Sequence, residues 1–118
     1  MARSVLVVDD DREFRELAAR MLKALGLEVV GEAGSVAGAH EAAAELRPDA
    51  ALVDVGLPDG DGLKLAEHLA ALPWGLRVVI TSSDPDATNT ADARELGAVG
   101  FVAKENLLDG SLRELLGG

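Results

Sequence analysis

The feature of this sequence that most restricts its fold is a regular alternation of short apolar runs and amphipathic segments. Each apolar run has the length and the Val, Leu, Ile and Ala content of a strand that is buried on both faces. Strands of this kind that alternate with helices predict a parallel sheet with right-handed crossovers. We therefore expect an α/β fold: a single doubly wound five-stranded parallel sheet with five helices on its two faces. The predicted strands are Val5 to Val8, Val29 to Val30 with its flanks, Ala50 to Val55, Val78 to Ile80, and Val99 to Ala103.

The segments between the strands have apolar residues three and four positions apart, which is the spacing of amphipathic helices. In the first of them the apolar positions are Phe14, Leu17, Ala18, Met21, Leu22 and Leu25, and Gly26 ends the helix. Ser35 is a suitable N-cap for the second helix, which Arg47 and Pro48 stop. The remaining helices are predicted over residues 35–46, 62–72, 86–96 and 107–116.

Length, charge and cysteine content exclude several classes of protein. The chain has 118 residues, which fits one domain over residues 1–118. Its 11 Lys and Arg against 21 Asp and Glu give a net charge of −10, which disfavours direct contact with nucleic acid or anionic lipid. The sequence has no Cys, so disulfides and thiolate metal sites are excluded. Its apolar runs are too short to span a membrane, and we expect a cytoplasmic protein.

Polar and charged side chains follow four of the predicted strands at the points where the strands end. The carboxyl ends of parallel strands lie at one edge of such a sheet, where the functional crevice forms. Carboxylates that lie close together repel one another, and a hard divalent cation such as Mg²⁺ relieves that repulsion. A lysine beside them suits a phosphoryl oxygen, so the set indicates phosphoryl transfer onto an aspartate. The residues are Asp9, Asp10 and Asp11, then Asp54, then Thr81, Ser82 and Ser83, and finally Lys104.

Several of these residues also have a simpler interpretation. Asp9 to Asp11 stand at the start of a predicted helix, where acids often serve only as caps, and Ser82 is a candidate loop cap. Asp54 is different, because an acid within an apolar strand is costly to bury without a partner. His40 and His68 lie inside predicted helices without a partner histidine at metal spacing, and we interpret both as exposed or interfacial.

Four motifs in this sequence resemble those of the receiver domains of bacterial two-component response regulators. The resemblance extends over essentially the whole chain and implies a flavodoxin-like receiver fold with strand order 2-1-3-4-5. The stretch Val-Val-Gly-Glu-Ala-Gly-Ser at 29–35, and Glu rather than Pro after Lys104, are most similar to the nitrate-response class of DNA-binding regulators. The four motifs are Val-Val-Asp-Asp at 7–10, Leu-Val-Asp-Val-Gly-Leu-Pro-Asp-Gly-Asp-Gly at 52–62, the hydroxyl pair after Val-Val-Ile at 78–80, and Gly-Ala-Val-Gly-Phe-Val-Ala-Lys at 97–104.

The resemblance implies a role for each residue that matches a family motif. Asp54 is the expected phosphoacceptor, and Lys104 is expected to pair with the phosphoryl group. The expected Mg²⁺ ligands are Asp10 with support from Asp9, an oxygen of Asp54, and the backbone carbonyl of Gly56. The switch hydroxyl is assigned to Ser82 among Thr81, Ser82 and Ser83, because the family places it twenty-two residues before the lysine. Phe101 stands where the family carries an aromatic switch residue, without the hydroxyl of the commoner Tyr.

The resemblance also implies a function. The chain is expected to accept a phosphoryl group from a sensor histidine kinase and to change the surface of its fourth helix, fifth strand and fifth helix. It would be a phosphoacceptor switch rather than an enzyme, although it would assist its own phosphorylation and dephosphorylation. A homodimer through the changed surface is expected. A chain of the nitrate-response class would continue past Gly118 into a helix-turn-helix DNA-binding domain as part of a transcriptional regulator, and a free-standing receiver is the other interpretation. The alternative is a receiver-like interaction domain that works without phosphorylation.

Overall fold

The five predicted strands form one parallel sheet in the computed structural model, which describes residues 3–108 and 111–117. The order β2-β1-β3-β4-β5 confirms the predicted doubly wound topology. Asp54 lies opposite Thr81 in the register of β3 and β4, so both residues stand at the carboxyl edge of the sheet. The strands are β1 (Ser4–Val8), β2 (Glu28–Ala33), β3 (Ala50–Asp54), β4 (Arg77–Ser82) and β5 (Gly100–Ala103).

Five helices connect or follow the strands, and within the described residues side-chain N-caps are seen at the first four. The caps are Asp11, Ser35, Asp61 and Asn89, and each accepts a hydrogen bond from a backbone N–H in the first turn. No helix within the described ranges is both long enough and apolar enough to cross a bilayer. The helices are α1 (Arg12–Ala24), α2 (Val36–Leu46), α3 (Gly62–Ala70), α4 (Thr90–Glu95) and α5 (Ser111–Leu115), with a short hairpin of Gly56–Leu57 and Gly60–Asp61 before α3 and a 3₁₀ turn at Lys104–Asn106.

Apolar side chains on the two sides of the sheet form two separate cores. Successive residues of a strand point to opposite faces, so β1 sends Leu6 and Val8 to one core and Val5 and Val7 to the other. Leu65 and Leu69 of α3 cover the first core, together with residues of α2 and α4. The second core is covered by residues of α1 and α5. Both faces of the sheet are therefore buried, and its carboxyl edge remains available for a site.

The fourth and fifth helices are shorter than predicted. Residues 86–89 do not belong to α4: the Asp86 N–H donates to Asp84 Oδ1 at 2.9 Å, and the helix begins only after the Asn89 cap. Local turn hydrogen bonds therefore replace the predicted first turn. The start of the predicted fifth helix is also wrong, because Leu107 and Leu108 precede α5. Asp109 and Gly110, which belong to the same prediction, lie outside the described residues, as do Met1, Ala2 and Gly118.

The two remaining predictions about helix faces have different outcomes. Leu17 was expected in the core with its α1 neighbours, but it is 53% exposed. The chain's two histidines, interpreted above as exposed or interfacial and without a partner at metal spacing, meet at the surface: the rings of His40 on α2 and His68 on α3 have centroids 5.8 Å apart. Both are exposed, as predicted. Their proximity results from the packing of α2 beside α3, which spacing within either helix does not reveal.

Candidate functional site

Three strands deliver charged side chains to one point on the carboxyl edge of the sheet. Asp9 follows β1, Asp54 ends β3, and Lys104 follows β5. The Lys104 ammonium lies 2.7 Å from Asp9 Oδ2 and 3.4 Å from Asp54 Oδ1. The lysine therefore bridges the two buried carboxylates, as the order of the parallel strands predicts.

Asp9, Asp10 and Asp54, here called the aspartate cluster, are arranged in a way that fits a metal ion. One carboxylate oxygen from each residue lies within 4.8 Å of the other two. Asp9 and Asp54 are buried, whereas Asp10 is exposed at the mouth of the site. Three hard oxygen donors, two of them removed from water, match the preferences of Mg²⁺. The cluster is thus compatible with the predicted cofactor.

The pKa values of Asp54 and Lys104 are both raised, for different physical reasons. Burial raises the pKa of Asp54, and the neighbouring Asp9 raises it further, against the lowering effects of Lys104 and the Gly56 N–H. Burial lowers the pKa of Lys104, but the ion pair with Asp9 and the proximity of Asp54 outweigh it, so the net pKa is raised. Lys104 therefore remains a cation, while Asp54 ionises less readily than an ordinary aspartate until another positive charge arrives.

The aspartate triplet after β1 divides into different roles. Asp9 points inward, and its Oδ1 accepts the Asp11 N–H at 2.9 Å. Asp11 caps α1 by accepting the Glu13 N–H at 3.0 Å. The capping interpretation is therefore right for Asp11, whereas Asp9 and Asp10 belong to the aspartate cluster.

Two residues of α1 support the site and were not identified from the sequence. The Lys104 ammonium lies 4.1 Å from the ring centroid of Phe14, a cation–π contact that helps to hold it beside the acids. Arg15 donates from Nη1 to the Asp9 carbonyl oxygen at 2.6 Å and from Nε to Glu32 at 3.1 Å. Both contacts depend on how α1 lies against the sheet, so sequence spacing alone carried no signal for them.

Glycines shape the chain around Asp54. Asp54 Oδ2 accepts the Gly56 N–H at 3.1 Å, which orients the carboxylate. Gly62, the first residue of α3, packs so closely behind β3 that a Cβ atom there would collide with the backbone oxygens of Asp54 and Val55. The last residue of β3 and the start of α3 are therefore in direct backbone contact.

The three adjacent hydroxyl residues after β4 have distinct surroundings. Thr81 is buried and donates to the Val102 carbonyl oxygen at 2.7 Å. Ser82 is buried as well, and its Oγ accepts the Asp84 N–H at 3.0 Å. Ser83 is exposed. The loop-cap interpretation of Ser82 thus describes this conformation, and Thr81 is engaged in holding β4 to β5.

Phe101 connects β5 to α4. Its half-buried side chain packs against the core on the α4 side of the sheet. Its backbone N–H donates to Thr90 Oγ1 at 3.3 Å, and the Thr90 hydroxyl donates to the Phe101 carbonyl at 3.4 Å. A movement of Phe101 would therefore affect Thr90, the first residue of α4.

This fold and this site define the class of protein. The family model for the response regulator receiver domain matches residues 5–115, and the chain belongs to that family. The sequence is 41% identical over 102 residues to the DNA-binding transcriptional activator DevR/DosR of Mycobacterium tuberculosis, an alignment that covers 86% of this chain and 47% of the activator. The chain thus spans about half the length of that relative.

Solved structures agree with this assignment. The signal receiver domain assigned to the response regulator NarL of Mycobacterium tuberculosis superimposes with a TM-score of 0.79 at 31% identity, covering 99% of this chain and 98% of that one. The BeF₃-activated N-terminal receiver domain of RstA from Klebsiella pneumoniae gives 0.80 at 30% identity, with coverages of 98% and 99%. Both neighbours are receiver domains of response regulators, and the first of them is a NarL receiver.

Proposed function

We propose that this receiver domain is switched by phosphorylation of Asp54. The observation that carries the proposal is the meeting of the aspartate cluster with Lys104 at the carboxyl edge of the sheet. An acceptor carboxylate, two further acids and a lysine at one point are the groups that phosphoryl transfer onto an aspartate requires. The same set is hard to explain as a purely structural feature, since buried acids without a ligand cost stability.

Mg²⁺ is the proposed cofactor, held by Asp9, Asp10, Asp54 and the backbone carbonyl of Gly56. The Asp54 carboxylate supports this assignment, because burial and then the neighbouring Asp9 raise its pKa, and a bound cation would favour its ionised form. When bound, the ion neutralises charge that develops on the phosphoryl oxygens.

The chemistry needs no general base. An ionised Asp54 oxygen attacks the phosphorus atom of a phosphohistidine on a sensor histidine kinase; the new P–O bond forms as the P–N bond breaks. The imidazole leaves with the electron pair of that bond. Lys104 stabilises the transferred group through its charge, and Phe14 and Asp9 hold its ammonium in place. The same groups serve the domain's own phosphorylation by small phosphodonors and its dephosphorylation.

The proposed switch begins at Ser82 and ends at α4. Among the described residues, the Ser82 hydroxyl takes part in one hydrogen bond, which it accepts from the Asp84 N–H, so its own proton is available to a phosphoryl oxygen. Movement of Ser82 would pull on the loop that leads to α4, and Phe101 would shift with Thr90, which it contacts through both of its backbone groups. The surface formed by α4, β5 and α5 then changes.

The output is proposed to be transcriptional. DevR/DosR, which is similar to this chain over about half its own length, is described as a DNA-binding activator. In the proposed arrangement residues 1–118 are the receiver part of such a regulator, located in the cytoplasm. The domain itself contacts no DNA, and phosphorylation acts through homodimer formation on the surface of α4, β5 and α5.

Labelling with radioactive acetyl phosphate tests the proposed acceptor. The wild-type chain should incorporate label in the presence of Mg²⁺ and lose it when EDTA removes the ion. Asp54→Asn should abolish incorporation, because the amide cannot form an acyl phosphate. Asp59→Asn, which changes an acid outside the cluster, is the matched control and should be labelled normally. Label that persists in Asp54→Asn would contradict the assignment.

A further inference from the structure

The surface pair of His40 and His68 has no place in the proposed phosphorylation switch. The two residues are 28 positions apart in the sequence, yet their rings approach to 5.8 Å between centroids with an interplanar angle of 38°. Within residues 3–108 and 111–117 neither imidazole forms an ion pair or a hydrogen bond with another side chain or the backbone. In this part of the chain no other protein group therefore occupies their ring nitrogens.

We propose that His40 and His68 form a binding site for a divalent transition-metal cation of the zinc, copper or nickel class. Neutral imidazole is the most common protein ligand for these ions. The sequence contains two His and no Cys, so these rings are its only imidazole or thiol donors, the groups that such ions prefer over the oxygen ligands of Mg²⁺.

The separation of the rings suits a shared ion. Two imidazole nitrogens at about 2.0–2.1 Å from one tetrahedral metal place their ring centroids about 5 Å apart. Rotation about the side-chain bonds can reduce the observed centroid distance of 5.8 Å to this value, since both residues are exposed and project from adjacent helices. No movement of α2 or α3 is needed.

The site is open rather than closed. In the described part of the chain, no third His, Asp or Glu lies close enough to join the pair, because the aspartate cluster is the only group of three that converges there. Two imidazoles therefore supply the protein ligands and water completes the coordination sphere, as at metal sites that keep exchangeable positions. The net charge of −10 raises the local concentration of cations around this weakly liganded site.

A bound ion would cross-link α2 and α3. The N-terminus of α2 is held by Asp59, and the N-terminus of α3 touches the backbone of Asp54 through Gly62. The metal would thus connect two helices whose N-termini both contact the segment between β3 and α3. Because the unfolded chain does not keep the two rings together, binding stabilises the native state.

Calorimetric titration with zinc chloride tests the site. The 118-residue chain is produced without a polyhistidine tag, and excess Mg²⁺ is present to occupy the aspartate cluster. We expect one Zn²⁺ per chain, with affinity reduced at least about ten-fold in His40→Gln and in His68→Gln. Asp54→Asn is the matched control and should retain the wild-type affinity. Far-UV circular dichroism checks that each variant is folded.

A second measurement locates the ion. Zinc should perturb backbone amide resonances of α2 and α3, and it should raise the melting temperature of the wild type but of neither histidine variant. Absence of saturable binding would overturn the proposal. Binding that survives both histidine substitutions, or that is lost in Asp54→Asn, would place the zinc at the aspartate cluster and would equally overturn it.

Discussion

Asp59 joins two segments that are far apart in the sequence. Its Oδ1 accepts the Val36 N–H at 2.7 Å and its Oδ2 accepts the Ala37 N–H at 3.1 Å. An exposed aspartate in the β3–α3 loop therefore caps α2, in addition to the local cap that Ser35 provides. These N–H groups lower the pKa of the Asp59 carboxyl. The charge of the carboxylate also complements the positive end of the α2 dipole.

The Asp59 cap predicts a specific pH dependence of stability. A carboxyl with a lowered native pKa stabilises the fold above its ordinary pKa of about 3.9 and loses that contribution as the pH falls through the native value. Asp59→Asn should therefore lower the melting temperature clearly at pH 7 and much less in acid below that range. Thermal unfolding followed by circular dichroism at a series of pH values measures the difference.

The neighbouring Ser35→Ala variant is the control for this measurement. It removes an uncharged cap of the same helix, at a cost of about 1 kcal/mol, and that cost should not vary with pH. If the two variants lose stability in parallel across the pH range, the carboxylate of Asp59 has no special role.

At the scale of elements, the junction of β3 and α3 depends on the absence of a side chain at Gly62. A methyl group there would meet the carbonyl oxygens of Asp54 and Val55, and backbone atoms cannot move aside as a flexible side chain can. We expect Gly62→Ala to reduce the free energy of unfolding by roughly 2–4 kcal/mol, measured by urea denaturation.

Gly60→Ala is the matched substitution for Gly62→Ala. Its Cβ would approach only the Val36 side chain, at 3.1 Å, and a methyl group can rotate away. A small effect at Gly60 with a large one at Gly62 supports the close backbone approach. Equal effects at the two glycines would refute it.

The strands and helices also show which features of the molecule can be predicted from the sequence. The strands and the site at their carboxyl ends follow from apolar runs and from parallel topology, which brings Asp9, Asp54 and Lys104 together. The start of α4 was missed because turn hydrogen bonds at Asp84 compete with helix formation over residues 86–89. Phe14 was assigned only to the core, since its contact with Lys104 depends on the position of a whole helix.

Across the whole molecule, the anchoring of the helices is uneven. Of the α4 residues only Ala93 is buried, whereas α1 buries Ala18 and Leu22 and is more than twice as long. At about 25 cal/mol per Å² of apolar surface, one alanine contributes little to holding α4 against the sheet. Since α4 also receives the proposed signals from Ser82 and Phe101, it is the unit most easily displaced.

We therefore expect beryllofluoride, a mimic of the phosphoryl group, to alter amide hydrogen exchange in residues 83–104 and to strengthen self-association. Arg94, Glu95, Glu105 and Arg113 supply charges of both signs for a contact through α4, β5 and α5. Hydrogen exchange and sedimentation velocity measure the two effects, and Asp54→Asn is the control that should show neither. An unchanged sedimentation coefficient with exchange changes confined to α1 would contradict this expectation.

Trp74, the only tryptophan, gives the molecule a natural optical probe. It lies at the opposite edge of the sheet from the aspartate cluster: its Nε1–H donates to the Pro48 carbonyl at 2.9 Å, and the Arg47 guanidinium lies 4.7 Å from its ring centroid. The five residues of β3, about 15 Å of extended chain, separate it from Asp54. Its fluorescence should therefore follow unfolding without interference from the chemistry at Asp54, so stability and phosphorylation can be recorded in one sample.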